Sequence, residues 1–520
     1  MNTRSLSTTV AWLLAVVPFL MSSSIVHAEV VLEEGKIAGD YLEIVRMDVT
    51  PADEPVPAFK YRLTLRPHEL VPGNSVANYM RAFPEGGVEK TWERVHKDFA
   101  DEVYDWYGNS VPISEVPIDK LREAAGRFDS LVRFIDPGSR CRDTDWGVSF
   151  EDLKGPDVIM FLLPEIQAMR SVSRALALRT RLAIAEGRYD DAIDLMRMSY
   201  RLGRDVGEQP ILVSGLVGMA ICGITNENML DLIAAPDSPN MYWALSELPR
   251  SQVSLRDAMR LELAIGPRMF ELLDDPEHKD RSYDAWNDLW RRETTWLMTK
   301  GMHMLSSGFG WEELMRQEAS EAQSLVAVGL GMASYSHAKE RLVAWGFDPE
   351  RVEQMPVGQV LAIYHARVYQ VQADEFEKAT YVDFQTGRKI ARQADAKLDD
   401  SGPMGASLDR EILPIASLLL PAIQAAQAAE VRTERNLDAL RVIEALRMHA
   451  AQNEGKWPKS LDDITCVPVP KNIATGKPFE YHLEGDTAVL TLPVSDGFHM
   501  ETRYELSIAT EQDTPEAEGN

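Results

Sequence analysis

The stretch LAIAEGRYDDAIDLMRMSYRLGRD, residues 182–205, decides the fold class of this chain. Just before it, Ile166, Met169, Val172 and Leu176 recur at helical spacing, and the pattern runs on through Ile184. Glu186-Gly187-Arg188-Tyr189 breaks it, since a glycine there can take the left-handed conformation that ends a helix. Asp190 opens a second helix with Ala192, Ile193, Met196 and Tyr200 on one face. Two amphipathic helices joined by so short a turn predict an antiparallel helical hairpin.

Helical patterning continues outward over residues 212–233, 241–248, 254–273, 282–298, 312–345 and 357–381. Ser306 to Gly310 reads as a break, and Phe347-Asp348-Pro349 as a stop and restart. The polar, turn-rich run KLDDSGPMGAS at 397–407 marks the main boundary. Beyond it a long helix is expected over 418–453, with Leu437, Leu440, Ile443, Leu446 and Ala450 on its apolar side. Glu454-Gly455-Lys456-Trp457-Pro458 stops that helix. Strands follow near 479–483, 488–492 and 503–508, with a turn at Gly485-Asp486.

The N-terminal side is more mixed. KYRLTL at 60–65 alternates as a strand does, among prolines 51, 55, 57, 67 and 72. Helices are expected over 75–83, 90–107 and 118–134, with turns at Gly73-Asn74 and Pro137-Gly138. Arg4, the apolar run VAWLLAVVPFL at 10–20 and Val26-His27-Ala28 compose a signal peptide cut before Glu29. That apolar run is too short to span a bilayer. The expected organisation is a signal peptide (1–28), a mixed region (29–150), an α-helical body (151–396), an α+β module (408–510) and a disordered acidic tail (511–520). The fold class is mainly α.

The formal charge of −27 on 520 residues disfavours partners rich in phosphate, nucleic acid above all. The 45% hydrophobic content suffices for true cores. No segment after the signal peptide is expected to span a membrane: ILVSGLVGMAICGI at 211–224 has the length of a buried helix, and Pro414 and Pro421 interrupt 412–423. Three cysteines, Cys141, Cys222 and Cys466, are too few and too scattered for a disulfide framework. Cys222 reads as a small core residue, and a Cys141–Cys466 bridge stays open.

Three resemblances rest on these residues. The hairpin at 182–205 resembles a tetratricopeptide unit, with Gly187, Tyr189 and Ala192 as turn glycine, packing aromatic and small crossing residue; no second copy follows, so a peptide-binding array is not expected. ALRVIEALRMHAAQNEGKWPKSLDDI and VPVPKNIATGKPFEYHLEGD resemble the end of the major pseudopilin of type II secretion, on Gly455, Pro458, Leu461, Pro470, Gly476, Pro478, Phe479 and Tyr481. The processed apolar helix that begins a pilin has no counterpart, so filament assembly is not expected. Calcium binding is not expected either, because 467–477 carries no carboxylate. The whole chain resembles exported planctomycete-type families of unknown function, in which this hairpin and this module occur together. That resemblance implies no activity.

Few residues suggest chemistry. Ser336-His337-Ala338-Lys339 matches S-x-x-K, without the S-D-N and K-T-G elements that serine–lysine catalysis needs. Met298, Met302, His303 and Met304 offer soft ligands for Cu(I), although Trp290 and Trp296 nearby favour an apolar seam. Asp274, Asp275, Glu277, His278 and Asp280 lack the order of a calcium loop. Asp143-Thr144-Asp145-Trp146, beside Cys141, suggests a pocket wall. No catalytic, cofactor-binding or metal-ligating set is therefore assigned, and no cofactor. The expectation is an exported scaffold or interaction protein of the periplasm or cell envelope, with a protein partner there. An envelope-polymer hydrolase or binding protein using carboxylates from non-adjacent helices is one alternative. A secretion accessory is another.

Overall fold

The computed structural model describes residues 30–37, 40–82, 87–149, 163–297, 321–401, 421–495 and 498–509. The expected signal peptide and acidic tail lie outside them, as do Met298, Met302, His303 and Met304. Strands β1 (Val30–Ile37) and β2 (Asp40–Val49) form an antiparallel pair. Val45, Met47 and Val49 alternate inward from β2, which makes it a half-buried strand. KYRLTL is no strand: residues 60–65 follow a turn closed by Lys60 N–H on Pro57 O, and Leu63 alone plunges into the core. Prolines 55, 57 and 67 supply no N–H there, so no ladder can extend through them.

Short strands β3 (Val71–Asn74) and β4 (Cys141–Asp143) pair in parallel and bracket α1 (Ser75–Tyr79), α2 (Gly87–Phe99), α3 (Glu102–Asp105), α4 (Ile118–Gly126) and α5 (Asp129–Ser139). The expected turn at Pro137-Gly138 is instead the end of α5. Gly138 is required by packing, since a Cβ there would lie 2.4 Å from the Tyr79 ring.

The predicted hairpin forms as α6 (Leu163–Ala185) and α7 (Tyr189–Gly207), and Gly187 turns the chain at φ +69°. Ala192, Met196 and Leu202 of α7 are fully buried. α8 (Leu212–Ala234) closes a three-helix layer. It runs well past residue 224, so by length and composition it could cross a membrane, and the length argument made from sequence does not hold. Most of α8 is nevertheless buried in protein, and several of its polar groups have protein partners. Tyr200 Oη donates to Asn226 Oδ1 (2.8 Å), Thr225 Oγ1 lies 2.8 Å from Ser199 Oγ, and Arg181 pairs with Asp231 (2.9 Å).

After α9 (Tyr242–Glu247), the helices α10 (Arg256–Leu263), α11 (Ile265–Met269), α12 (Tyr283–Trp296), α13 (Glu321–Ala344), α14 (Pro349–Gln354), α15 (Val357–Lys378) and α16 (Phe384–Ser401) build a second bundle centred on α15. Asp348 caps α14 with Pro349 at its first turn, as the sequence predicts. α16 was not foreseen, and it carries helix through residues 397–401, where a boundary was expected.

α17 (Pro421–Gln452) crosses α8 and α9. Glu454 and Gly455 take φ +57° and +73°, Gly455 N–H bonds to Ala450 O, and Trp457 Nε1 donates to Asp486 O (3.1 Å). This is the corner expected from sequence. β5 (Glu480–Glu484), β6 (Thr487–Leu492) and β7 (Met500–Ile508) form an antiparallel meander. Its outer strand β7 pairs in parallel with β2, giving one five-stranded sheet in the order β1-β2-β7-β6-β5. The strands expected to form a separate C-terminal module thus share a sheet with the N-terminal hairpin. The chain is mostly helical, and the C-terminal strands β5 to β7 form the antiparallel part of this mixed sheet.

Candidate functional site

A cleft of about 960 Å³ opens where α10 and α11 meet α12 and α15. Its apolar wall is Phe270 edge-on to Trp296, ring centroids 5.6 Å apart. Tyr369 fixes the α10–α15 side by donating to Leu263 O at 2.9 Å. Gly266 permits that approach, because a Cβ would sit 2.5 Å from the tyrosine ring.

Five carboxylates line the cleft: Glu271, Asp274, Glu293, Asp374 and Glu377. Four are already engaged. Glu293 accepts the backbone N–H groups of Glu271 (3.1 Å) and Leu272 (2.9 Å), which braces the turn after α11 against α12. Glu271 takes Arg281 and Arg292, and these arginines hold its carboxyl below the usual range against the opposing effect of burial. Asp274 pairs with Lys279 (2.5 Å), and Glu377 with Arg260 (3.3 Å) and Tyr381 Oη (2.7 Å). Burial raises Glu293, and its backbone bonds oppose that shift. The cleft is therefore a mixed-charge, ion-paired surface with an aromatic wall. It offers hydrogen bonds and apolar area to a ligand, and among these four carboxylates no unpaired acid or base poised for proton transfer.

The residues singled out from sequence fall differently. Ser336 is exposed, while Lys339 pairs with Glu353, which raises its pKa and so denies it the role of a base. In the acidic loop, Asp275 pairs with His278 (2.7 Å) and Glu277 with Arg367 (3.1 Å), so the loop neutralises itself. Asp274 of that loop does reach the cleft. No group of three or more potential metal-ligating His, Cys, Asp or Glu converges among the described residues. Asp143 to Trp146 lie outside this cleft. Thr144 Oγ1 (2.9 Å) and Tyr79 Oη (2.7 Å) instead donate to the buried Asp205 carboxylate, and Trp146 Nε1 donates to Asp205 O (2.8 Å). Cys141, Cys222 and Cys466 are all free thiols, and burial pushes Cys222 up to about 12. The cleft residues Arg260, Glu293, Tyr369 and Glu377 had no sequence signal, being charges and aromatics spread over three helices.

Comparison with protein-family models, curated proteins and solved structures finds no match for this chain. Its site is read from geometry alone.

Burial pushes Glu262 and Glu434 to about 7 and Asp231 to about 6. These folded-state values lie above those of an unfolded chain, so the native state binds more protons between about pH 4 and 7. Stability from these groups therefore rises as pH falls through 7. His365 opposes this, since burial holds it at about 3, and the unfolded chain gains that proton below about 6.5. His449, which burial also lowers, acts in the same direction as His365. With the three raised carboxyls outweighing these two imidazoles, the melting temperature is expected to be higher at pH 5.5 than at 7.5, by about 2–4 °C. Differential scanning calorimetry at matched ionic strength measures it. Glu262→Gln should shrink the difference, and a lower melting point at pH 5.5 would contradict the assignment.

Proposed function

We propose that this chain is an exported, non-enzymatic scaffold of the cell envelope that holds a protein partner along the α10–α12–α15 cleft. The observation that carries the reading is the state of the cleft's carboxylates: four of the five are held by neighbouring cations or backbone amides. Such a wall suits recognition of a mixed-charge polypeptide segment, with Trp296 and Phe270 as the apolar anchor. In this reading the α6–α7 hairpin is a single tetratricopeptide-like packing unit. The α17–β7 region is pseudopilin-like in its corner and meander but works as part of the body. Its helix supports this, since Leu440, Ile443 and Leu446 are spent on packing within the chain.

The polymer-hydrolase alternative draws support from the way the cleft gathers carboxylates from non-adjacent helices. It needs one carboxyl kept protonated beside another kept ionised. Glu293 is raised, but both its oxygens accept backbone bonds, which argues for a brace.

A photo-crosslinking phenylalanine derivative in place of Gln370, an exposed cleft residue, tests the reading in envelope extract. The same group in place of Glu484, on the exposed edge strand β5, is the control. One discrete adduct from position 370, absent from 484 and competed away by unlabelled protein, is expected. No adduct, or polymer turnover that Asp374→Asn abolishes, would overturn the proposal.

A further inference from the structure

A second, smaller cavity of about 110 Å³ lies on the other side of the body, between α7, the segment around Leu63 and the chain after α9. In a chain with 81 acidic residues against 54 basic ones, its wall carries Arg197, Arg201 and Arg204 and not one carboxylate. Positions 197, 201 and 204 share one face of α7 by helical spacing.

The three arginines differ in what they already hold. Arg197 is bonded to Asp136 (3.2 Å), Asp194 (3.3 Å) and Ser139 Oγ (3.4 Å). Arg201 is paired with Asp205 (2.8 Å) and donates to Cys141 O (2.9 Å). Arg204 is half-buried and has no hydrogen-bond or ion-pair partner among the described residues. Burial first, and the neighbouring Arg201 second, lower its pKa, while Asp205 and Glu208 on the same helix oppose them, so its charge is compensated only in part. Gln252 lines the same cavity at 5% exposure, with both amide atoms unpartnered. A buried amide without partners costs free energy that a bound polar group would restore. Leu63, Leu65, Leu70, Leu248 and Pro249 give the lining its apolar part, beside Thr64, Ser139 and Tyr200.

We infer that this cavity is a binding site for a small monocarboxylate with an apolar body, its carboxylate held by Arg204 and Gln252. One guanidinium without a bonded partner matches one carboxylate, which its planar fork can grip with two parallel bonds. The leucines favour an aliphatic body over an inorganic oxyanion, because phosphate has acceptors on every side and would leave several facing hydrocarbon. The volume limits the ligand to a handful of heavy atoms.

Ligand-observed NMR on the full chain at low salt tests this, with butanoate as probe and inorganic phosphate as comparator. Saturable butanoate binding is expected, weakened at least about tenfold by Arg204→Gln, as for loss of a charged hydrogen bond. Arg204 has no structural partner to lose, so the same variant should melt no lower than the parent. If Arg204→Gln fails to fold, Gln252→Leu decides, and it too should weaken butanoate. No saturable binding, equal binding by the variant that folds, or phosphate binding tighter than butanoate would each overturn the assignment.

Discussion

Arg447→Ala is expected to cost about 3–5 kcal/mol, because it leaves a fully buried carboxylate without its counter-charge. The Arg447 and Glu444 side chains are both 0% exposed and meet at 3.0 Å. The same guanidinium donates to Thr50 O (2.9 Å), Ser238 O (3.0 Å) and Ser238 Oγ (2.9 Å). Glu444 in turn accepts Met241 N–H (3.1 Å), and Asn240 Nδ2 bridges Ala52 O and Glu444 O. One arginine therefore ties the exit of β2, the loop before α9 and the C-terminal part of α17. Burial already raises the Glu444 pKa, with Arg447 opposing it, so loss of Arg447 should raise it further. Urea unfolding followed by circular dichroism reads the loss as a lower midpoint. The double variant Arg447→Met with Glu444→Gln removes both charges and should recover much of it. A single variant as stable as the parent would refute the coupling.

Gly218→Ala is expected to cost about 3 kcal/mol, at the upper end of overpacking effects. α7 and α8 cross at their glycines. A Cβ on Gly218 would lie 2.4 Å from the carbonyl oxygen of Gly203 and 3.1 Å from the amide nitrogen of Gly207. Backbone atoms cannot rotate away as a side-chain tip would, so the helices must separate along the seam that also buries Cys222. Gly223 is the control on the same helix, since nothing lies within 4 Å of a Cβ there, and Gly223→Ala should be neutral or stabilising. Equal midpoints for the two variants would remove the close-crossing argument.

These features were unequally legible in the sequence. The α6–α7 hairpin was readable because long 3.6-residue periodicity met a turn that Gly187 alone could make, and the corner at Gly455 was readable for the same reason. The sheet was not. Its order depends on Val45 meeting Tyr504 and Met47 meeting Leu506, and a local pattern carries no information about which distant strand completes a ladder. KYRLTL misled because its alternation matched a strand while its flanking prolines barred one. α16 was hidden by a polar sequence whose buried stripe includes little more than Ala391 and Ala394. The cleft was invisible for a different reason: a Glu–Arg pair split between two helices looks, on each helix, like an ordinary solvated charge.

The parallel pairing of β2 with β7 carries a temporal consequence. As the chain is synthesised, β2 is made long before its neighbour, with Glu43 and Thr502 bonded across 459 positions. Until Met500–Ile508 appears, β2 keeps an open edge, the feature by which strands recruit other chains. β7 thus acts as a late cover for an early strand. A chain interrupted anywhere before it keeps a sticky ribbon, and one that reaches Ile508 hides it.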